Sequence, residues 1–178
     1  MEEDAQRFEQ IVLPHLPAGY NLARWLTKND RDGEDVAQEA FLRAFRGFAG
    51  YRGGDVRAWL LAIVRNTCYT WLRRNRSHEL GPLADGDLDD GARCPRDAAP
   101  DPEALLLQDA DRHRLRQALE ALPAEFREAI VLREMEGLSY KEIAQVADIP
   151  LGTVMSRLAR ARKHLQRSLA IEARGRSG

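Results

Sequence analysis

Apolar residues near the C-terminal end of the chain recur every three or four positions, which is the spacing of one buried helix face. The stripe consists of Val154, Leu158, Ala161, Leu165 and Leu169. Residues 153–174, most of them off the stripe, include six Arg or Lys and a single acid. The pattern predicts a helix from about residue 151 with an apolar back and a basic front.

A shorter helix is predicted just before it. Gly137 can end the preceding helix, and Ser139 with Glu142 has the spacing of a capping box. The helix then covers 140–147, and Asp148, which tolerates a left-handed backbone, begins the turn. Two such helices form a helix-turn-helix, whose second helix reads base edges and phosphates in the major groove of DNA. The alternative for the basic face is an ordinary solvated helix surface.

A second basic helix is predicted from Asp55, its N-cap, to about residue 74. Its apolar stripe is Trp59, Leu60, Ile63, Val64, Thr67, Cys68, Trp71 and Leu72, and its other side carries Arg57, Arg65, Tyr69, Arg73 and Arg76. Residues 56–76 contain five arginines and no acid. A basic face with an aromatic ring suits a nucleic-acid backbone and stacked bases, and a solvated helix is an equal alternative.

Helical patterns also cover most of the remaining chain, and no strand alternation is evident. Residues 4–27 predict a helical region divided around Pro14 and Pro17, 29–33 a polar turn, and 34–45 a further helix. The predicted fold is therefore all-α, with two small helical domains at 1–77 and 104–174. Residues 78–103, which are rich in Gly, Pro, Asp and Ala, predict a flexible acidic linker.

Composition narrows the function classes. The 178 residues carry a net charge of −1, but acidic and basic residues are sorted into separate blocks, which indicates separate surfaces with separate partners. Cys68 and Cys94 have no ligand spacing, so no metal or other cofactor is expected, and a redox role for Cys94 stays open. No catalytic constellation stands out, so we predict a non-enzyme. No signal peptide or membrane-spanning run is evident, which predicts a cytoplasmic protein.

Several motifs in order then resemble a family. The segment 35–45 (DVAQEAFLRAF) resembles region 2.2 of bacterial sigma factors, and 48–74 resembles regions 2.3 and 2.4. Leu122-Pro123, 137–144 (GLSYKEIA) and 152–158 (GTVMSRL) resemble region 4. With regions 1 and 3 missing, the chain is similar to an extracytoplasmic-function (ECF) sigma factor of the sigma-70 family.

The resemblance implies a role for each group of residues. Asp35, Gln38, Glu39 and Arg43 match the surface that docks on the β′ clamp helices of core RNA polymerase. Phe48, Tyr51, Arg52, Gly53, Arg65, Asn66, Tyr69 and Arg73 match the residues that recognise the −10 element and capture a flipped base. Thr153, Ser156, Arg157, Arg160 and Lys163 match the helix that reads the −35 element. For Phe48, a ring packed inward within a plain loop is at least as good an interpretation.

The implied function is promoter-specific transcription initiation in a stress response. The implied partners are core RNA polymerase, through its β′ clamp helices and β flap, promoter DNA and an anti-sigma factor; no membrane insertion is expected. The alternative is a stand-alone helix-turn-helix regulator whose N-terminal helices sense or dimerise. A helical interaction protein without a DNA role is a third class, in which Arg157 and Arg160 would be dispensable.

Overall fold

The structure is a computed structural model that describes residues 2–76 and 102–175. Within them the chain forms eight α-helices: α1 (Glu2–Val12), α2 (Leu16–Thr27), α3 (Asp30–Gly47), α4 (Val56–Arg76), α5 (Pro102–Glu120), α6 (Ala124–Ile130), α7 (Tyr140–Ala147) and α8 (Leu151–Gly175). No strand occurs in these two stretches, so the predicted all-α class is confirmed. The predicted linker lies outside the described residues except for its last two, which begin α5, and Cys94 lies outside them as well.

The N-terminal domain is built from α1 to α4. Pro14 lies in a short 3₁₀ turn, Leu13–His15, that separates α1 from α2, and this confirms the predicted division of the first helical region. Helices α2, α3 and α4 pack on one another. Their shared core consists of Leu22, Leu26, Val36, Ala40, Ala44, Leu60, Leu61, Val64 and Cys68, and Phe8 and Val12 of α1 join it. The core fixes which sides of α3 and α4 face outward.

The polar turn predicted over 29–33 is wrong, because α3 already begins at Asp30. Asn29 is its N-cap, and the Asn29 Oδ1 accepts hydrogen bonds from the backbone N–H groups of Arg31 (2.9 Å) and Asp32 (3.1 Å). Polar residues therefore cap and open the helix instead of forming a loop. Gly33 lies inside α3 at the point where the helix passes closest to the backbone of Arg24 in α2.

The C-terminal domain contains the predicted helix-turn-helix. Helix α6 continues into a π-helical turn, Val131–Met135, which ends before Gly137 in the left-handed region (φ 67°). Ser139 and Glu142 form both hydrogen bonds of the capping box, so the predicted start of α7 is confirmed. Asp148 follows α7 with φ 52°, as the sequence indicated. Val154, Leu158 and Ala161 of α8 are buried against α6 and α7.

The two domains pack against each other. Helix α4 contacts α7, and α2 contacts α6 and the π-helical turn. The basic side of α4, which the sequence predicts to face nucleic acid, therefore lies partly at the contact between the domains.

Candidate nucleic-acid and polymerase interfaces

The outer face of α8 carries most of the residues predicted to read the −35 element. Because Val154, Leu158 and Ala161 face the core, the exposed Ser156, Arg160 and Lys163 lie on the opposite side of the helix. The Ser156 hydroxyl donates to the Thr153 carbonyl oxygen at 3.0 Å. These side chains form a polar and basic strip that the described residues leave open to a DNA groove.

Arg157 lies beside this strip rather than on it. Its side chain is 19% exposed, and its Nη2 is 3.6 Å from the Glu125 Oε2 of α6. The guanidinium therefore sits at the edge of this polar strip and is held toward α6. The structure separates Arg157 from Arg160, which the sequence treated as equivalent.

The loop after α3 contains aromatic rings in two different environments. Phe48 is only 4% exposed and packs between Phe8, Tyr51 and Trp59, with ring centroids 5.3, 5.8 and 6.2 Å away. Its ring belongs to the core and is not presented to a base, because solvent does not reach it. The inward-packed alternative for Phe48 is therefore the one that the structure favours.

The tip of the same loop is open. Gly53 and Gly54 have φ values of 95° and 104°, a conformation that side chains disfavour. The Tyr51 hydroxyl donates to the Gly54 carbonyl oxygen at 2.7 Å and closes the loop on itself. Arg52 and Gly53 are exposed, so backbone and guanidinium donors are available at the tip, and Tyr51 is half-buried behind them.

The predicted −10 residues of α4 also divide into two groups. Asn66 and Arg73 are exposed. Arg65 and Tyr69 turn toward the C-terminal domain, where the Arg65 Nε and the Tyr69 hydroxyl donate to the two carboxylate oxygens of Glu128 at 2.5 and 2.8 Å. The Arg65 guanidinium lies over the Tyr69 ring, 4.4 Å from its centroid.

The electrostatics of this contact follow from its burial. Burial raises the pKa of the Glu128 carboxyl above its ordinary value, while the charge of Arg65 and the hydroxyl of Tyr69 act in the opposite direction. Burial, and then the Glu128 charge, also raises the pKa of the Tyr69 hydroxyl, which stays protonated as a donor. Each carboxylate oxygen of Glu128 thus accepts one charge-assisted hydrogen bond from α4.

The residues predicted to dock on polymerase share one exposed strip of α3. Asp35, Gln38, Glu39 and Arg43 all face away from the core, and an ion pair of 2.5 Å joins Arg43 to Glu39. The strip borders a shallow groove of about 300 Å³, lined by Leu16, Pro17, Tyr20, Glu34, Ala37, Gln38 and Phe41. Leu42 and Phe45 on the same helix are also exposed. Polar and apolar groups are thus available together, as at protein interfaces.

Sequence reasoning missed the residues that join the two domains. Arg127, Glu128 and Glu136 were not singled out, although all three contact the N-terminal domain. The only available signal was a pair of charges, Arg127 and Glu128, placed directly before the apolar run 129–132. A charged pair next to such a run indicates a buried polar contact but does not identify its partner.

Two helical domains, one with a helix-turn-helix and both with basic helix faces, define a DNA-binding transcription protein. Comparison with known families makes this specific: residues 11–78 match sigma-70 region 2, and residues 112–165 match sigma-70 region 4. The chain is 34% identical to the RNA polymerase sigma-H factor of Pseudomonas aeruginosa, over 93% of this chain and 88% of that protein. It is 38% identical to the ECF RNA polymerase sigma-E factor of Escherichia coli K12, over 74% and 71% respectively.

The chain therefore belongs to the ECF group of the sigma-70 family of sigma factors. It is also 37% identical to the ECF sigma factor SigE of Mycolicibacterium smegmatis, and the match spans 92% of this chain and 62% of that protein's length. Among solved structures, it is similar to the sigma factor RpoE of Bartonella quintana, solved with the anti-sigma factor NepR (TM-score 0.71, 30% identity, 93% and 98% coverage). A second match is CnrH, solved with the cytosolic domain of CnrY (TM-score 0.65, 26% identity, 93% and 90% coverage). No described helix is long and apolar enough to cross a membrane.

Proposed function

We propose that this sigma factor joins core RNA polymerase and directs it to a set of promoters, with the C-terminal domain at the −35 element and the N-terminal domain at the −10 element. The observation that carries the proposal is the placement of three separate polar surfaces on one chain. These are the outer face of α8, the face of α4 with its glycine loop, and the exposed strip of α3. A stand-alone regulator needs only the first.

The α3 strip is the proposed docking surface for the β′ clamp helices of polymerase. Asp35, Gln38, Glu39 and Arg43 supply polar contacts, and the adjacent groove and Leu42 supply apolar area. Interfaces of this mixed character gain affinity from buried apolar anchors and specificity from polar contacts at their rim. The β flap is proposed to contact the C-terminal domain around α6.

The −35 element is read by α8 in this proposal. Arg160 and Lys163 contact base edges or phosphates, and Thr153 and Ser156 lie at the helix start, where a recognition helix enters the major groove. Arg157 lies at the edge of the outer face of α8 and contacts the DNA backbone after its ion pair with Glu125 breaks.

The −10 element is bound and opened by the N-terminal domain. Asn66, Arg73, Arg65 and Tyr69 line one face of α4, and the loop tip at Arg52 and Gly53 receives an unpaired base, with Tyr51 behind it. Binding of unpaired bases offsets the cost of unstacking the duplex. The protein thus acts by binding in the cytoplasm and carries out no chemical reaction.

Control by an anti-sigma factor belongs to the same proposal. Its support is that a structurally similar sigma factor, RpoE, was solved with the anti-sigma factor NepR, and a second structurally similar protein, CnrH, was solved with the cytosolic domain of CnrY.

Run-off transcription on a genomic promoter library tests the proposal. Core polymerase with this chain is expected to initiate at discrete sites, and core polymerase alone is not. Arg160→Ala should reduce specific initiation by about tenfold or more. The matched control is Arg112→Ala, which removes the same charge from an exposed position of α5. A chain that protects promoters from DNase without polymerase, and never supports initiation with it, would instead be a stand-alone regulator.

A further inference from the structure

The contact between the domains uses the same side chains that are proposed to hold the −10 element. Arg65 and Tyr69 of α4 donate to Glu128 of α6, whose side chain is 2% exposed. Arg65 itself is 17% exposed in this arrangement. A DNA phosphate or base could not reach these two donors unless Glu128 left them.

A second acid of the C-terminal domain makes an equivalent contact. The Arg57 Nη2, at the start of α4, lies 2.5 Å from the Glu136 carbonyl oxygen and 3.1 Å from its Oε2. The Asn21 side-chain amide donates to the other carboxylate oxygen of Glu136 at 2.6 Å. Two carboxylates therefore lie along the basic face of α4, where DNA would place its own acceptors.

Closing the domains also carries a free-energy cost, because it helps to bury the charged side chain of Arg127. Arg127 is buried, and its Nη2 donates across the domain boundary to the Leu26 carbonyl oxygen at 3.2 Å. Its Nη1 donates to the carbonyl oxygens of Leu122 and Glu120, and no carboxylate lies among its hydrogen-bond partners in the described part of the chain. The Arg127 Nε is buried without a partner there. Burying this cation with only carbonyl oxygens as hydrogen-bond partners is costly, although the nearby Glu120 charge acts in its favour, so separating the domains recovers hydration for this group.

The remaining surfaces stay open when the domains are closed. The α3 strip with Asp35 and Gln38 is exposed, as are Arg160 and Lys163 on α8. A closed chain can therefore still present its proposed polymerase-docking surface and its −35 face, while Arg65 and Tyr69 on the α4 face are covered.

We infer that the C-terminal domain acts as a DNA mimic toward the N-terminal domain, with Glu128 and Glu136 masking the −10 face of α4 until the chain is opened on polymerase. This inference rests on the proposed role of α4 in −10 binding. It orders the events: polymerase docking comes first, and −10 capture follows only after the two acids have left α4.

The test compares the separation of the domains in the free, full-length chain. A dye pair is attached at the exposed Gln10 and Gln166, and single-molecule energy transfer reports the closed and open populations. The double variant Glu128→Gln, Glu136→Gln should increase the open-to-closed ratio by at least about tenfold, because it leaves the α4 arginines without their charged partners. The matched control Glu134→Gln removes a charge whose partner, Arg162, lies in the same domain, and it should leave the ratio unchanged.

If the Glu128 variant fails to fold, a charge swap between Arg57 and Glu136, which are less buried than Arg65 and Glu128, provides the same test. Arg57→Glu and Glu136→Arg should each open the chain, and the two together should close it again. An open wild-type chain, or no difference between these variants and the control, would overturn the inference.

A binding measurement with single-stranded DNA separates this inference from the proposed function. The probe is a fluorescent oligonucleotide carrying the −10 sequence of a promoter identified by the run-off assay. Without polymerase, the double variant should bind it about tenfold more tightly than the wild type, and equal binding would contradict masking. With polymerase, both proteins should initiate equally. If initiation is normal but energy transfer is the same in the double variant and the wild type, only the masking inference is contradicted. If the chain does not support initiation, the proposed function is contradicted.

Discussion

Replacing Gly33 with alanine should weaken the packing that positions α3, the helix proposed to dock on polymerase. A Cβ at residue 33 would lie 2.7 Å from the Cα and 3.0 Å from the N of Arg24, which are backbone atoms inside α2. Neither atom can move without the helix, so α2 and α3 must separate by several tenths of an ångström. The contact between these helices is the most extensive in the N-terminal domain, and it carries much of the core.

Two opposing effects set the magnitude. Overpacking of this kind costs about 1–3 kcal/mol. Alanine in place of glycine within a helix contributes roughly 0.5–1 kcal/mol in return. The expected net change for Gly33→Ala is a loss of up to about 2.5 kcal/mol of unfolding free energy. Gly47→Ala, at the end of the same helix, meets nothing within 4 Å and should be stabilising by a few tenths up to about 0.5 kcal/mol.

Thermal denaturation of the two variants, followed by circular dichroism, measures this difference. At roughly 2–4 °C per kcal/mol for a chain of this size, the melting temperatures should differ by several degrees, with Gly33→Ala lower. Equal stability of the two variants would refute the reasoning, because it would mean that α2 and α3 are not in close contact at Gly33.

Three further results are expected. Arg160→Ala should weaken binding to a −35 duplex by about 1–3 kcal/mol without changing the stability of the fold. Arg157→Ala should weaken binding less, because the Arg157 side chain is mostly covered. Fluorescence anisotropy at several salt concentrations measures the affinity of each variant. Hydrogen bonds from the side chain and then the backbone of Ser139 hold the pKa of the Glu142 carboxyl below its ordinary value. These bonds therefore stabilise α7 fully at pH values above the ordinary pKa, and the stabilisation is lost as the pH falls through the lowered pKa. Ser139→Ala should raise the Glu142 pKa measured by NMR titration, and an unchanged pKa would contradict the capping box. Burial, followed by the Glu128 charge, raises the pKa of the Cys68 thiol to about 12, so iodoacetamide should label Cys68 only after unfolding, as peptide mass spectrometry can establish.

The helix-turn-helix could be predicted from sequence because its signals are local. Ser139 and Glu142 are three residues apart, Gly137 and Asp148 adopt the left-handed backbone that their residue types permit, and the apolar stripe of α8 repeats within a few turns. Each feature depends on hydrogen bonds or sterics between near neighbours, so the sequence contains the whole interaction.

The start of α3 and the environment of Phe48 could not be predicted in the same way. The segment around Gly33 is polar and glycine-containing, which favours a turn locally, yet tertiary packing on Arg24 makes glycine necessary in a helix there. Phe48 follows a glycine and precedes a loop, but Phe8, 40 residues earlier in the sequence, covers its ring. Both outcomes depend on contacts between distant segments.

The contact between the domains was the least predictable part of the site. The acids Glu128 and Glu136 lie 63 and 79 residues from their partners Arg65 and Arg57. The basic residues on α4 were predicted to face nucleic acid or solvent, and the sequence could not show that acids of the same chain contact two of them. The exposure of Asp35, Gln38, Glu39 and Arg43 on α3 was predictable because helix periodicity alone separates them from the apolar face.

The most direct test of the account is the affinity of the purified chain for core RNA polymerase, measured by fluorescence titration. The account predicts saturable one-to-one binding that is weakened at least about tenfold when Asp35, Gln38 and Glu39 are replaced by alanine, and that is unaffected by the Arg112→Ala control. A folded chain with no measurable affinity for polymerase would contradict the central claim.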